Sequence, residues 1–381
     1  MPLHPLVGHD EVRATLARGV HTRSLPQSIL LHGPAGIGKQ RLGLWLAQLL
    51  VCEAPRDDGP CDACLPCRLA LRLEHPDVHW FFPLPRPEAT SPEKLRERLE
   101  EARAAELAVR RQNPLHLPTF EKAPAHFLAS VLTLQQMAAV RPAMGRRKAF
   151  VVGDAEAMVP QESSPEAANA FLKLLEEPPA DTTLVLTATQ PGALLPTIRS
   201  RVLPVRLLPL GAAQVAGFLA GAGLADVETA ERAAALAQGS IGRALRLLPG
   251  AEAATSLEAQ RRAGRELLLA ALADSAAERF ALALRREGAG ARHELPALLD
   301  ALAAWLRDLV AVLSGAEELA LNRDGLELLR RAAQRGVRAT AAARALERVE
   351  RARALAHGNV NPQLIVANLL TELHHDLRGA A

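Results

Sequence analysis

Leu30-Leu31-His32-Gly33-Pro34-Ala35-Gly36-Ile37-Gly38-Lys39-Gln40 reads as a buried strand running into a glycine-rich loop. The pattern G-x-x-x-x-G-K is intact from Gly33 to Lys39. Backbone N–H groups around Gly33, Gly36 and Gly38 suit a phosphate, and Lys39 suits the β- and γ-phosphates of a nucleotide. The next residue in a working loop is Ser or Thr, whose hydroxyl binds Mg²⁺. Here it is Gln40. A long amide is a poor substitute for a compact hydroxyl at an octahedral ion.

Around this loop the first half alternates strand and helix. Short aliphatic runs at Ser28–His32, Val78–Phe82, Ala149–Gly153, Thr183–Thr187 and Leu203–Leu207 predict buried strands of a parallel sheet. Helices are predicted near Gly38–Leu50, Cys67–Leu73, Leu132–Val140 and Pro165–Glu177. Residues 83–125 break the rhythm. Prolines cluster at each end, with a charged helical stretch, Glu93–Arg111, between them. This predicts an exposed insertion with a solvated face or a partner-binding surface.

Beyond Leu210 strand signals vanish. Gly211–Ala222, Val227–Gln238 and Gly242–Leu248 predict three short helices, and longer ones follow from Ser256. Leu295, Leu298, Leu299, Leu302, Trp305, Leu306 and Leu309 recur at helical spacing and form one apolar face. Val337–Leu355 and Pro362–Leu377 repeat the pattern, with Asn361 as a cap and Pro362 in the first turn.

With 381 residues the chain is long enough for two or three domains. It has no apolar run of about 18 residues, and its start lacks a signal-peptide pattern. A cytoplasmic protein with no membrane partner is expected. A net charge of +3 does not mark a strong nucleic-acid binder. Tyr is absent and aromatic residues are 3%, so stacking on bases is not a main device.

All four cysteines, Cys52, Cys61, Cys64 and Cys67, fall in the spacing C-x8-C-x2-C-x2-C. Two overlapping C-x2-C steps place thiolates within reach of one ion, and four sulfurs suit a closed, structural Zn²⁺ site. Thiol–disulfide chemistry is the alternative. A second acid-tipped strand, Ala149-Phe150-Val151-Val152-Gly153-Asp154, would present Asp154 to Mg²⁺ through water. The neighbouring position, where a Glu would polarise attacking water, is Ala155, and the acid comes one residue later as Glu156. Gln40 and Ala155 damage the same chemistry, so nucleotide binding without efficient hydrolysis is expected.

The segment Ala167-Ala168-Asn169-Ala170-Phe171-Leu172-Lys173-Leu174-Leu175-Glu176-Glu177-Pro178-Pro179 resembles a signature of the clamp-loader subunits of bacterial DNA polymerase III. Thr197-Ile198-Arg199-Ser200-Arg201-Val202 resembles their S-R-C motif, with Val202 in the Cys position. Gly239-Ser240-Ile241-Gly242-Arg243-Ala244 resembles their sensor 2 segment, and Asn359-Val360-Asn361-Pro362 a helix start near the C-terminus. The zinc module is also a trait of that family.

The resemblance implies an AAA+ α/β domain over 1–208, with a zinc module at 52–67 and the insertion at 83–125. A helical lid over 209–255 and an all-α collar over 256–381 complete the expected architecture. Gln40 and Ala155 resemble the delta-prime branch rather than the gamma/tau motor. That branch implies a stator in a ring with gamma/tau and delta, which loads a sliding clamp onto primed DNA. Arg201 would reach in trans to the ATP of a neighbouring subunit. A surface salt bridge is the plain alternative for Arg201. Arg243 would act as a nucleotide sensor or pair with an acid. Two other readings stay open: an active motor ATPase using Gln40 and Glu156, and a zinc-dependent nucleic-acid-binding protein with a vestigial loop.

Overall fold

A computed structural model describes residues 2–120, 122–158, 166–249, 256–285, 289–356 and 360–378, without the side chains of 289–294. The chain forms two compact units, Met1–Leu245 and Arg246–Ala381.

The first unit opens with helix α1 (Asp10–His21), strand β1 (Ser28–His32), α2 (Lys39–Val51), α3 (Leu65–Leu71) and β2 (Val78–Phe81). Then come α4 (Pro92–Gln112), α5 (Leu128–Ala139), β3 (Lys148–Val152), α6 (Glu166–Glu176) and β4 (Thr182–Ala188). The series ends with α7 (Pro196–Arg199), β5 (Leu203–Arg206), α8 (Ala212–Gly221), α9 (Val227–Ala237) and α10 (Ile241–Leu247). The five strands make one parallel sheet in the order β2-β3-β4-β1-β5.

Strand alternation sends side chains to two faces, and both are covered over β1, β3 and β4, so these read as continuous apolar runs. The run Leu203–Leu207, expected to be a buried strand, forms β5 at the sheet edge with most of its residues exposed. Leu30, Phe150, Val152, Leu184 and Leu186 pack with Val131 and Leu134 of α5 and Phe171 and Leu175 of α6. Ile29, Leu31, Ala149, Val151 and Val185 pack with Leu16 of α1 and Leu42, Leu46 and Leu49 of α2. The register sets Leu30 beside Leu186 and Val151 beside Val185. Truncating the fully buried Phe171 to Ala would cost about 3–5 kcal/mol. Helix α1 is weakly signalled in sequence, because His9 at its N-cap makes no side-chain cap bond.

The insertion is not simply a solvated arm. Helix α4 does carry exposed charge, with i,i+3 pairs such as Lys94–Glu97 and Arg98–Glu101. Yet its Leu99 is buried in a small core with Phe82 and Leu84, flanked by Trp80, Phe120 and Phe127. Leu84 and Ala125 exchange backbone hydrogen bonds and tie the two arms together. The insertion thus packs beside β2, the edge strand that its own sequence follows.

The second unit is all-α among the described residues: α11 (Leu257–Leu272), α12 (Ala276–Leu284), α13 (Ala289–Leu313), α14 (Leu326–Gln334), α15 (Ala339–Ala356) and α16 (Pro362–Arg378), with two short 3₁₀ turns. The stripe from Leu295 to Leu309 is buried in full. Its Trp305 Nε1 donates to the Arg261 carbonyl at 2.9 Å. Asn361 Oδ1 accepts from the Gln363 backbone N–H at 2.9 Å, as a cap at the start of α16 should. Pro165 and Asn359, which the sequence placed at helix starts, lie outside the described residues. Among the described residues, no helix is long and apolar enough to cross a membrane.

Candidate nucleotide site and four-cysteine cluster

The glycine-rich loop follows β1, Asp154 follows β3 and Thr189 follows β4, so all three meet at the carboxyl ends of parallel strands. Ligands of open α/β sheets bind there. The loop needs its glycines: Gly36 and Gly38 have φ of 72° and 98°, and a Cβ on Gly36 would stand 2.5 Å from Ser240 Oγ. The start of α10 rests on the loop. Ser240 Oγ donates to the Ala35 carbonyl at 2.9 Å, and the Gly242 N–H donates to the Gly36 carbonyl at 2.9 Å. Arg243 is exposed on the first turn of α10.

Lys39 is buried and folded back. Its ammonium donates to the Gly33 and Pro34 carbonyls at 2.9 and 2.8 Å and to Thr189 Oγ1 at 2.9 Å. Burial pulls its pKa below the ordinary lysine value, against the pull of Asp154 and Glu156.

Gln40 replaces the Mg²⁺-binding hydroxyl with a bridge. Its Nε2 donates to Asp154 Oδ2 at 3.0 Å, and its Oε1 accepts from Trp80 Nε1 at 3.0 Å. Asp154 itself sits at φ 47°, a left-handed conformation that Asp tolerates. Burial and then Glu156 raise its pKa, while Lys39, Gln40 and Arg110 oppose them. Glu156 is engaged elsewhere: Oε1 accepts the backbone N–H groups of Thr189 and Gln190 at 2.7 and 3.2 Å. That oxygen braces the end of β4, while Oε2 is buried without a hydrogen-bond partner. These residues fit a Mg²⁺ ion poorly, because the compact hydroxyl is missing and the Gln40 amide already takes one oxygen of the acid. The sequence did not single out Trp80, Arg110 or Thr189, and named Ser240 only within the segment that resembles sensor 2. An indole in an edge strand and an arginine in a charged helix read as core and surface.

Arg201 lies just after α7, about one-third exposed. Its Nη2 pairs with Glu176 Oε1 at 2.8 Å, and Nη1 donates to the Thr197 carbonyl at 2.9 Å. Glu176 is the last residue of α6, which ends ahead of Pro178-Pro179 because a proline disfavours helix in the residue before it. Val202 is buried in the core between α6 and the sheet.

The four cysteine sulfurs all lie within 4.8 Å of one another, and none is in a disulfide. Tetrahedral Zn–S bonds of about 2.3 Å imply S···S edges of about 3.8 Å. Cys61 Sγ and Cys67 Sγ stand 3.9 Å apart, which fits. Cys61 Sγ accepts the Cys64 N–H at 3.4 Å, and N–H groups of Cys64 and Ala63 lower its pKa to about 6. Burial pushes Cys67 and Cys52 the other way. The loop is held to α2 by Gln48, which donates to Asp62 at 2.7 Å, and by Gly59, which lies against the Trp45 ring. The donor set suits a soft cation such as Zn²⁺ as a cross-link.

Comparison with known proteins gives the same direction. Residues 8–211 match the family model described as DNA polymerase III, delta subunit, and residues 259–375 match that of its C-terminal region. A DNA polymerase III subunit delta' of Pseudomonas aeruginosa is 37% identical over 57% of this chain and 54% of its own length. A DNA polymerase III subunit tau of Salmonella typhimurium is 26% identical over 55% of this chain and 26% of its own. A solved DNA polymerase III gamma subunit-related protein of Thermotoga maritima aligns over 96% of this chain and 100% of its own, at 17% identity and a TM-score of 0.45. The aligned part of the chain spans about half the length of the delta' relative and about a quarter of the tau relative. With more than half of its residues inside the first match, the chain belongs to the DNA polymerase III delta-subunit family.

Proposed function

We propose that this chain is a delta-prime-type stator of a bacterial clamp loader. It would sit in a cytoplasmic AAA+ ring with gamma/tau and delta subunits that loads a sliding clamp onto primed DNA. The observation that carries this reading is the Gln40 bridge to Asp154: the phosphate-binding loop is kept, but its metal position is filled by the protein. A subunit built so serves as a fixed partner to a motor. In this reading 1–208 is the AAA+ domain, 209–255 its lid and 256–381 the collar.

Arg201 supplies the chemistry to the neighbour. Placed at the neighbour's γ-phosphate, its planar cation stabilises charge developing in transfer. Glu176 and the Thr197 carbonyl would hold the guanidinium until a neighbour docks. Zn²⁺ on Cys52, Cys61, Cys64 and Cys67 pins the loop after α2. Gly33, Gly36, Gly38 and Lys39 remain a cradle for nucleotide, with Arg243 near it.

The test is ATP turnover by the isolated chain beside turnover by the reconstituted ring. The reading expects none from the chain alone, and no change in ring turnover when this chain carries Lys39→Ala. Turnover by the isolated chain that Lys39→Ala abolishes would overturn it in favour of a motor.

A further inference from the structure

The Gln40 bridge does not end at Trp80. Arg110, from the insertion helix α4, lays its guanidinium over the Trp80 ring, 4.3 Å from the ring centre, and over Phe82 at 4.1 Å. Arg110 Nε donates to Glu106 Oε1 at 2.8 Å, and both side chains are nearly buried. A continuous chain therefore runs from the insertion to the acid of the nucleotide site: Glu106, Arg110, Trp80, Gln40, Asp154.

Each link has a physical reason. An amide accepts at one end and donates at the other, and an indole N–H only donates. Trp80 fixes the Gln40 oxygen toward itself, which turns the Gln40 NH₂ toward the Asp154 carboxylate. A cation over an indole face holds the ring in place, more strongly when water is excluded. Gly153 makes room: a Cβ there would lie 2.7 Å from the amide group of Gln40. Asp154 and Glu156 are two acids, and Lys39 and Arg110 are two cations that act on Asp154. Arg110 also carries its pair with Glu106, so what reaches Asp154 directly is the donor of the Gln40 amide rather than a full neutralising charge.

We propose that the insertion, through Arg110, Trp80 and Gln40, is a built-in replacement for the divalent cation at Asp154. It holds the phosphate-binding loop in one arrangement whether or not Mg²⁺ and nucleotide are present. This rests on the reading of the chain as a non-hydrolysing subunit, but it concerns only the chain's own loop.

The experiment uses the full zinc-loaded chain with fluorescently labelled ADP, with Mg²⁺ added or left out and no chelator present, and with thermal midpoints as the second readout. Wild type is expected to show the same midpoint and the same ADP affinity in both. Gln40→Thr removes the bridge and restores a hydroxyl. It should melt earlier without Mg²⁺, regain stability with Mg²⁺ and ADP, and bind ADP at least about tenfold tighter with Mg²⁺. Trp80→Phe keeps a ring for Arg110 but deletes the N–H donor, and it should confer part of the same Mg²⁺ response. Arg110→Leu should lose less stability in the Gln40→Thr background than in wild type, because the chain is already broken. A wild type whose ADP binding tightens tenfold with Mg²⁺ would overturn the proposal. So would a folded Gln40→Thr with no Mg²⁺ response, or additive effects of Arg110→Leu and Gln40→Thr. None of these outcomes touches the trans role of Arg201, which is read from turnover of the ring.

Discussion

Gln40 Nε2 donates to the Asp154 carboxylate at 3.0 Å, joining the first helical turn after the phosphate-binding loop to the end of β3. Removing the amide leaves a buried acid short of a donor and the Trp80 N–H without its acceptor. Gln40→Ala should therefore destabilise the chain by about 2–3 kcal/mol, measured as a shift of the urea midpoint with unchanged slope. A change within experimental scatter would mean that the bridge is incidental.

The cysteine cluster predicts one Zn²⁺ per chain, countable by elemental analysis. Chelation, or Cys67→Ser at a fully buried sulfur, should lower the melting temperature by about 5–10 °C. Full stability without bound metal would refute a structural ion. The outcome also separates the cross-link from thiol–disulfide chemistry, which would respond to oxidants rather than chelators.

His126 is buried, with Nε2 on the Gly153 carbonyl at 2.7 Å, and burial lowers its pKa to about 4. The unfolded chain takes up this proton near pH 6.5 and the folded chain only near pH 4. Stability from this group is thus complete above about pH 6.5 and lost as the pH falls toward 4. His126→Gln can keep a donor to Gly153 but cannot titrate. Denaturation midpoints across this window should fall less steeply for the variant than for wild type; parallel curves would contradict the assignment.

Much of the first unit was legible because its inner strands are buried on both faces and announce themselves as aliphatic runs, as at Ser28–His32 and Thr182–Ala188. The apolar stripe through Trp305 was equally plain, since helical burial repeats with a fixed period. Gln40 was legible as a missing hydroxyl, but not as a bridge. Its partners Trp80 and Asp154 come from β2 and the end of β3, and no local pattern states that they meet. Arg110 was hidden in the same way. A helix with dense charge reads as solvated, yet one of its arginines closes over two rings.

Glu176 and Arg201 form a half-exposed pair, with side chains 48% and 34% accessible. Exposed ion pairs contribute little, so Glu176→Gln should change stability by less than about 0.5 kcal/mol. If Glu176 only holds the guanidinium ready, ring turnover with this variant should match or exceed wild type. A large loss would make Glu176 itself part of the transfer machinery.

The trans role of Arg201 is tested most directly by DNA- and clamp-stimulated ATP turnover of the reconstituted ring, with this chain as wild type or Arg201→Ala, and with assembly checked by size. Turnover at the neighbouring site should fall by about a thousandfold or more while the ring stays assembled. Unchanged turnover in an intact ring would remove Arg201 from the chemistry and contradict its role in trans.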